Sequence, residues 1–370
     1  LWEVILWSFE AMYEGVCPHT DHKGNPWPQG SAERAMAGTH LANGYFCVLW
    51  QLKSDLDYLT KTLGLRHYNA NAPCDLCHCD KTRGPSYWPC NFGHTCAWKD
   101  ELMAPRAWRA LYGAALHPLF RFAYFSSLNI EPDELHIMHL GVSMYLLGSA
   151  LWMLCYRVLP RSPVANMDRV WSMVVHYYTS MGITCQFSSL SLSSFTNPQK
   201  PRGHYPKLKG KGAEVKGLVG PLCQIWHTCM EGGREGHARI GRCLQCVYNI
   251  QNTIDEYASE LFFPKEVVGG FRAEIDALLS DYCALAAQAD ADGDLLWNLA
   301  PKWHWFWHLG HRAQYAHPRR GACLIGEDFV GKIKVVAQAA LAGTQLHNVV
   351  LKVMEKYIWG RSLTRPSPAP

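Results

Sequence analysis

The stretch YFCVLWQLKSDLD, residues 45–57, decides how this chain is read. Tyr45 to Leu52 is rich in aromatic and β-branched residues and is bounded by Gly44 and Lys53, the composition of a buried strand. Ser54, Asp55, Leu56 and Asp57 follow at once, and a short helical stretch runs on to about Gly64. The local order is strand, acid, helix. A carboxylate at the end of a buried strand can reach a divalent ion at a sheet edge, although an acid beginning a helix is also locally favourable.

Outward from this unit, Leu1–Tyr13 reads as an amphipathic helix and Gly15–Gly30 as a turn-rich segment. Because the chain opens on Leu1 and already in a helix, it reads as a fragment that begins mid-domain. Residues 69–100 form a loop rich in Cys, Gly, Pro and Asn, too long for a plain connection and in need of a staple. From Trp108 to Ala300 the pattern is mostly helical, broken at Pro160–Pro163, Phe187–Lys211 and Pro264. Within it, Ile137–Tyr156 carries no formal charge over 20 residues. That is long enough to span a bilayer, but His139, two serines and two glycines interrupt it, so it reads as a buried core helix and no membrane is expected.

Composition narrows the function classes. With 48% hydrophobic residues and 15 tryptophans, the chain has the material for a large core. A net charge of +4 is too small to imply nucleic-acid binding by itself, so any such surface must be local. Fifteen cysteines, an odd count in a long chain with no signal-peptide pattern, point to reduced thiols and metal binding in an intracellular protein.

Five constellations carry chemistry. Cys74-Asp75-Leu76-Cys77 places two thiolates where a tight turn directs them at one tetrahedral zinc. It is half a site. Cys79, Cys90, His94 and Cys96 are at hand to complete a local finger. His304 and His308 sit at i and i+4, on one helix face, able to share a metal or simply to pack among the tryptophans around them. Asp55 and Glu327, with Asp57 and Glu214 as alternates, are the candidate acids. Asp133 and His136 form a DxxH before the apolar helix, where Asp133 is equally a helix cap. Lys207, Lys209, Lys211 and Lys216 form a basic run suited to phosphate or simply solvated.

The order of these pieces is Asp55, CxxC nineteen residues on, DxxH, a long helical block, HxxxH, and Glu327 nineteen residues after His308. That order resembles the catalytic core of eukaryotic DDE transposases, closest to CACTA/EnSpm-type and Plavaka-like enzymes and to the catalytic subunit of the V(D)J recombinase. Residues 133–147 (DELHIMHLGVSMYLL) and 327–334 (EDFVGKIK) look like phrases of those families.

The resemblance implies an α/β fold with an RNase H-like core, interrupted by a mostly helical insertion and stapled by zinc. Its parts would be a partial core with the zinc loop over residues 1–130, the insertion over 131–300, and the His-pair and last catalytic helices over 301–357. A disordered tail would cover 358–370. Asp55 becomes the second catalytic acid and Glu327 the third, with the first expected upstream of Leu1, so that this chain alone is inactive. Cys74, Cys77, His304 and His308 become structural zinc ligands, Asp133 and His136 support the site, and the lysine run contacts DNA. The implied activity is strand cleavage and transfer by phosphoryl transfer with two Mg²⁺ or Mn²⁺ ions, on double-stranded transposon ends, in the nucleus, by a homo-oligomer. A domesticated, inactive, zinc-stabilised nuclear DNA-binding protein is the alternative.

Overall fold

The computed structural model describes residues 2–112, 117–341, 343, 345 and 348–363, excluding the side chains of 324–328, 350 and 358–363. The chain divides into two compact units, Leu1–Ala322 and Cys323–Pro370. Described residues of the first unit are mostly helical. Helices α1 (Trp2–Glu14), α2 (Ala32–Met36), α3 (Leu56–Lys61) and α4 (Pro105–Tyr112) precede the helical block, and strands β1 (Leu52–Lys53) and β2 (Ile130–Glu131) pair in parallel. Leu52 stands opposite Ile130 and Lys53 opposite Glu131.

This corrects the strand expected over residues 45–52. Only its last residue, with Lys53, enters a ladder. Tyr45, Phe46 and Val48 are 79%, 65% and 61% exposed, on extended backbone without strand neighbours. A strand-like composition needs a pairing partner to become a strand. Here the Asn129 side chain takes that place, its Nδ2 donating to the carbonyls of Leu49 at 2.6 Å and Trp50 at 3.2 Å. The described residues are therefore α-rich with one short parallel ladder, and a full RNase H-like sheet is not among them.

The helical block follows its sequence punctuation. Helix α5 (Leu135–Val158) has a regular central stretch, Ser143–Met153, flanked by π-helical turns. It is long and apolar enough to span a membrane, yet 89% of its apolar window is buried inside the fold, as expected of a core helix. Ser162 caps α6 (Pro163–Ser180), and Pro163 fills the first turn, where a missing N–H costs nothing. After the 182–211 loop come α7 (Gly212–Cys229), α8 (Glu235–Glu256) and α9 (Lys265–Ala291). α7 packs on α5, α6 and α8, and α8 lies along α9.

α10 (Lys302–Arg312) is wedged against α9 and the first turns of α5, and α11 (Pro318–Gly321) follows. In the second unit, α12 (Leu324–Leu341) packs on α13 (Val349–Leu363), with Phe329 edge-on to Tyr357 at 5.5 Å. This replaces the single last helix expected to open at Glu327, and α13 runs six residues into the expected tail, whose remainder, 364–370, lies outside the described residues.

One buried ion pair ties α10 to the ladder. Arg312 Nε lies 3.3 Å from the Glu131 carboxylate, both side chains are buried, and the guanidinium also donates to the Leu128 carbonyl. Burial pushes the Glu131 carboxyl up to about 7, against the pull of Arg312. Removing the cation leaves a buried, uncompensated carboxylate, a change that costs about 3 kcal/mol or more. Arg312→Met should therefore lose about 3 kcal/mol at pH 8 in guanidinium unfolding. It should lose less at pH 5, where Glu131 takes up a proton and the unpaired charge disappears. An equal loss at both pH values would contradict this account.

Candidate metal centre and the neighbouring acid cavity

The loop at residues 69–103 has little regular structure, yet its backbone is fixed. The Met103 amide donates to the Leu76 carbonyl at 2.9 Å and the His78 amide to the Glu101 carbonyl at 3.0 Å. Arg66 donates to the Cys74 carbonyl at 3.1 Å. Inside this frame the Leu76 amide donates to Cys74 Sγ at 3.2 Å, a contact that favours the thiolate. Between the two cysteines, Asp75 is buried against the Tyr112 hydroxyl. Burial raises its carboxyl to about 7.

Opposite the loop, α10 presents His304 and His308 from one face. Cys74 Sγ is 3.4 Å from His308 Nε2, and Cys77 Sγ is 3.4 Å from His304 Nε2, across sequence separations of 234 and 227 residues. The two Nε2 atoms are 3.1 Å apart. All four residues are buried, and their ligand atoms lie within 4.8 Å of one another. Tetrahedral zinc, with Zn–S of about 2.3 Å and Zn–N of about 2.0–2.1 Å, requires S···N edges of about 3.5 Å and N···N edges of about 3.3 Å. The cluster fits that tetrahedron.

The surroundings fix the donors. His304 Nδ1 lies 2.8 Å from the Pro89 carbonyl, which can only accept; Nδ1 therefore carries the proton, and the Nε2 lone pair is left to face the thiols. Trp98 packs against both imidazoles, at 4.3 and 5.9 Å between ring centroids, and shields the site from water. Burial opposes ionisation of Cys74, but hydrogen bonding with Cys77 and the two histidines lower its thiol below the usual range. Burial likewise opposes protonation of His304, and the Cys74 and Cys79 thiolates override it, raising the imidazole. A site where thiolates and imidazoles offset each other's burial is one that a soft dication stabilises by replacing protons.

Of the four local candidates for a finger, Cys79 reaches this centre, its Sγ 3.6 Å from His304 Nε2. Cys90 instead points its thiol at the Leu299 carbonyl, 3.7 Å away, and His94 is exposed. The sequence offered Cys79 only as a local partner of the CxxC; its approach to a histidine 225 residues away had no signal there.

Next to the centre lies a cavity of about 360 Å³ lined by Asp55, Asp57, Tyr68, His136, Tyr145, Lys207 and Lys302, among others. Four of the residues singled out from sequence thus meet in one place. Asp55 caps α3, its Oδ1 accepting from the Tyr58 amide at 2.6 Å, so the local role and the cavity position coexist. Asp57 pairs with Lys61 at 2.7 Å, and that partner holds its carboxyl below the usual range. Asp133 is buried, accepts from the Leu135 amide at 3.0 Å and engages His136 Nδ1, which orients that ring. Lys302 was not singled out. Burial and the nearby Lys207 charge lower its ammonium to about 8, against Asp133, Asp55 and Asp57.

The remaining candidates stand elsewhere. Glu214 closes a capping box at the start of α7, accepting from the Lys211 amide at 2.8 Å, and is not among the residues lining the cavity. Lys209 donates to the Ser193 carbonyl at 3.1 Å, and Lys216 pairs with Asp255 at 2.6 Å, so Lys207 alone represents the basic run in the cavity. Glu327 belongs to α12 of the second unit, and its side chain lies outside the described residues.

Among known proteins, no family model, curated protein or solved structure matches the chain. The metal centre itself makes a direct prediction. The purified chain should carry one zinc, and Cys74→Ser and His304→Ala should each lower zinc content at least tenfold after dialysis against a mild chelator. Retention of zinc by His304→Ala would place the metal within the 69–100 loop and remove α10 from the site.

Proposed function

We propose that this chain is part of a DDE-type DNA transposase that cleaves and joins DNA strands by metal-assisted phosphoryl transfer. The observation that carries the reading is the meeting of Asp55, His136 and Lys207 in one cavity beside a cluster that joins CxxC to HxxxH. The resemblance pairs those motifs in that way, and 227 residues separate Cys77 from His304.

Cys74, Cys77, His304 and His308 would hold a structural zinc, which would cross-link loop 69–103 to α10. The hard carboxylate oxygens of Asp55 and Asp57 in the cavity would hold magnesium or manganese, which would supply Lewis-acid activation of a water or 3′-hydroxyl and charge stabilisation of the leaving oxygen. The chain's own residues have separable parts. Asp55 presents a carboxylate at the start of α3, two residues beyond the parallel ladder. Asp133 holds the His136 ring at the cavity edge, and Lys207 brings positive charge to it. Glu327 is the third acid of the resemblance. DNA and a nuclear setting follow from the same reading.

The reading is tested through metal binding. Manganese titrated into the full chain and followed by loss of the free-ion EPR signal should bind with a Kd in the submillimolar range. Asp55→Asn should weaken it at least tenfold while leaving zinc content unchanged, a loss of about 1.4 kcal/mol or more. Manganese binding indifferent to Asp55 would remove the carboxylate from the proposed chemistry.

A further inference from the structure

Two lysines from remote segments are seated along the same helix beside Asp55. Lys302, the first residue of α10, passes over Gly141 of α5. A Cβ added there would lie 2.7 Å from Lys302 Cδ and 3.0 Å from the His136 carbonyl oxygen. Its Nζ donates to the Leu140 carbonyl at 2.8 Å. Leu140 sits where the helix departs from regular geometry, with φ −92° and ψ 17°. One turn further on, Lys207 stacks over the Tyr145 ring at 5.3 Å. Its backbone lies against Gly148, where a Cβ would meet Lys207 N and Cα at 3.0 Å, and the Leu208 amide donates to the Met144 carbonyl at 2.9 Å. Gly141, Tyr145 and Gly148 follow at helical spacing, so two glycine notches and a ring between them place both ammonium groups at the same cavity as Asp55 and Asp57.

Two lysine cations lining one cavity are unfavourable unless something anionic uses them. The carboxylates provide part of that charge. Asp57, however, already pairs with Lys61, and Asp55 is engaged in capping α3. An ammonium pair facing an acidic residue across a small cavity suits a phosphodiester, whose oxygens take charge-assisted hydrogen bonds from lysine.

We propose that Lys302 and Lys207 form a clamp for one phosphate of the DNA strand, placed next to Asp55 by α5 and held there through the metal centre on α10. The inference rests on the DNA-processing reading above and adds a residue, Lys302, that the resemblance does not assign. It also gives the metal centre a second consequence. His304 and His308 lie two and six residues along the helix that begins with Lys302, so the same ligands that fix α10 fix the clamp.

The test is fluorescence anisotropy of the full chain with a labelled 30-base-pair duplex in calcium buffer, across a salt series (on the scale over which phosphate contacts are read). Lys302→Met and Lys207→Met should each raise Kd about tenfold and lower the slope of log Kd against log salt by about one, with zinc content unchanged and a cooperative thermal unfolding transition retained. Lys302→Arg should restore most of the affinity. Wild-type binding with Kd and salt slope unmoved by Lys302→Met would overturn the clamp and leave the DNA reading standing. A wild-type chain that does not bind the duplex at 50 mM salt (low enough for phosphate contacts to dominate) would overturn both.

Discussion

Four buried side chains from two distant parts of the sequence converge within 4.8 Å, and the rest of the site depends on that convergence. Without it, the loop at residues 69–103 has short turns and one β-bridge, Cys77 with Leu102, but no long element to define it. With it, the loop is pinned to a helix buried between α9 and α5. The donors are poor company for one another as thiols and imidazoles in an apolar pocket lined by Trp98. They become a favourable set when a dication takes the place of their protons. A metal bound there would link segments 227 residues apart, and because the site exists only in the folded chain its binding free energy would add to folding stability.

That constraint reaches the acid cavity through one rigid element. α10 begins at Lys302 in the cavity, holds the metal ligands at its third and seventh residues, and ends at Arg312, which pairs with Glu131 on β2. β2 in turn pairs with β1, and Asp55 and Asp133 lie two residues past the ends of the two parallel strands. Three separate interactions therefore fix the elements that carry the cavity's residues: a cluster of soft donors and a buried ion pair hold α10, and a short ladder precedes Asp55. The proposed transposase chemistry asks for such an arrangement, because carboxylates that bind hard ions must be held against their mutual repulsion.

Much of this was legible in the sequence, for identifiable reasons. The i, i+4 spacing of His304 and His308 and the CxxC spacing are short-range signals, and both survive folding as stated. The helical block and its breaks at Pro163 and Pro264 followed from residues that act locally. Lys302 was not legible, because its significance comes from a glycine, Gly141, on another helix. Glu214 and Lys216 were read as candidates from charge alone, and each is occupied by a neighbour: a backbone amide for the first, Asp255 for the second. The strand over residues 45–52 was overread for a related reason. Its composition is right, but strand formation is a pairing property, and among the described residues only Leu52 and Lys53 find a strand to pair with.

The most direct test of the central claim is the zinc K-edge X-ray absorption spectrum of the full chain. The account predicts a four-coordinate ion with two sulfur neighbours at about 2.3 Å and two imidazole nitrogens at about 2.0–2.1 Å, with the outer-shell scattering of two histidine rings. A shell of four sulfurs without imidazole scattering would contradict it. The metal would then be a closed knot of the cysteine-rich loop, and nothing would tie that loop to α10 and the cavity beside it.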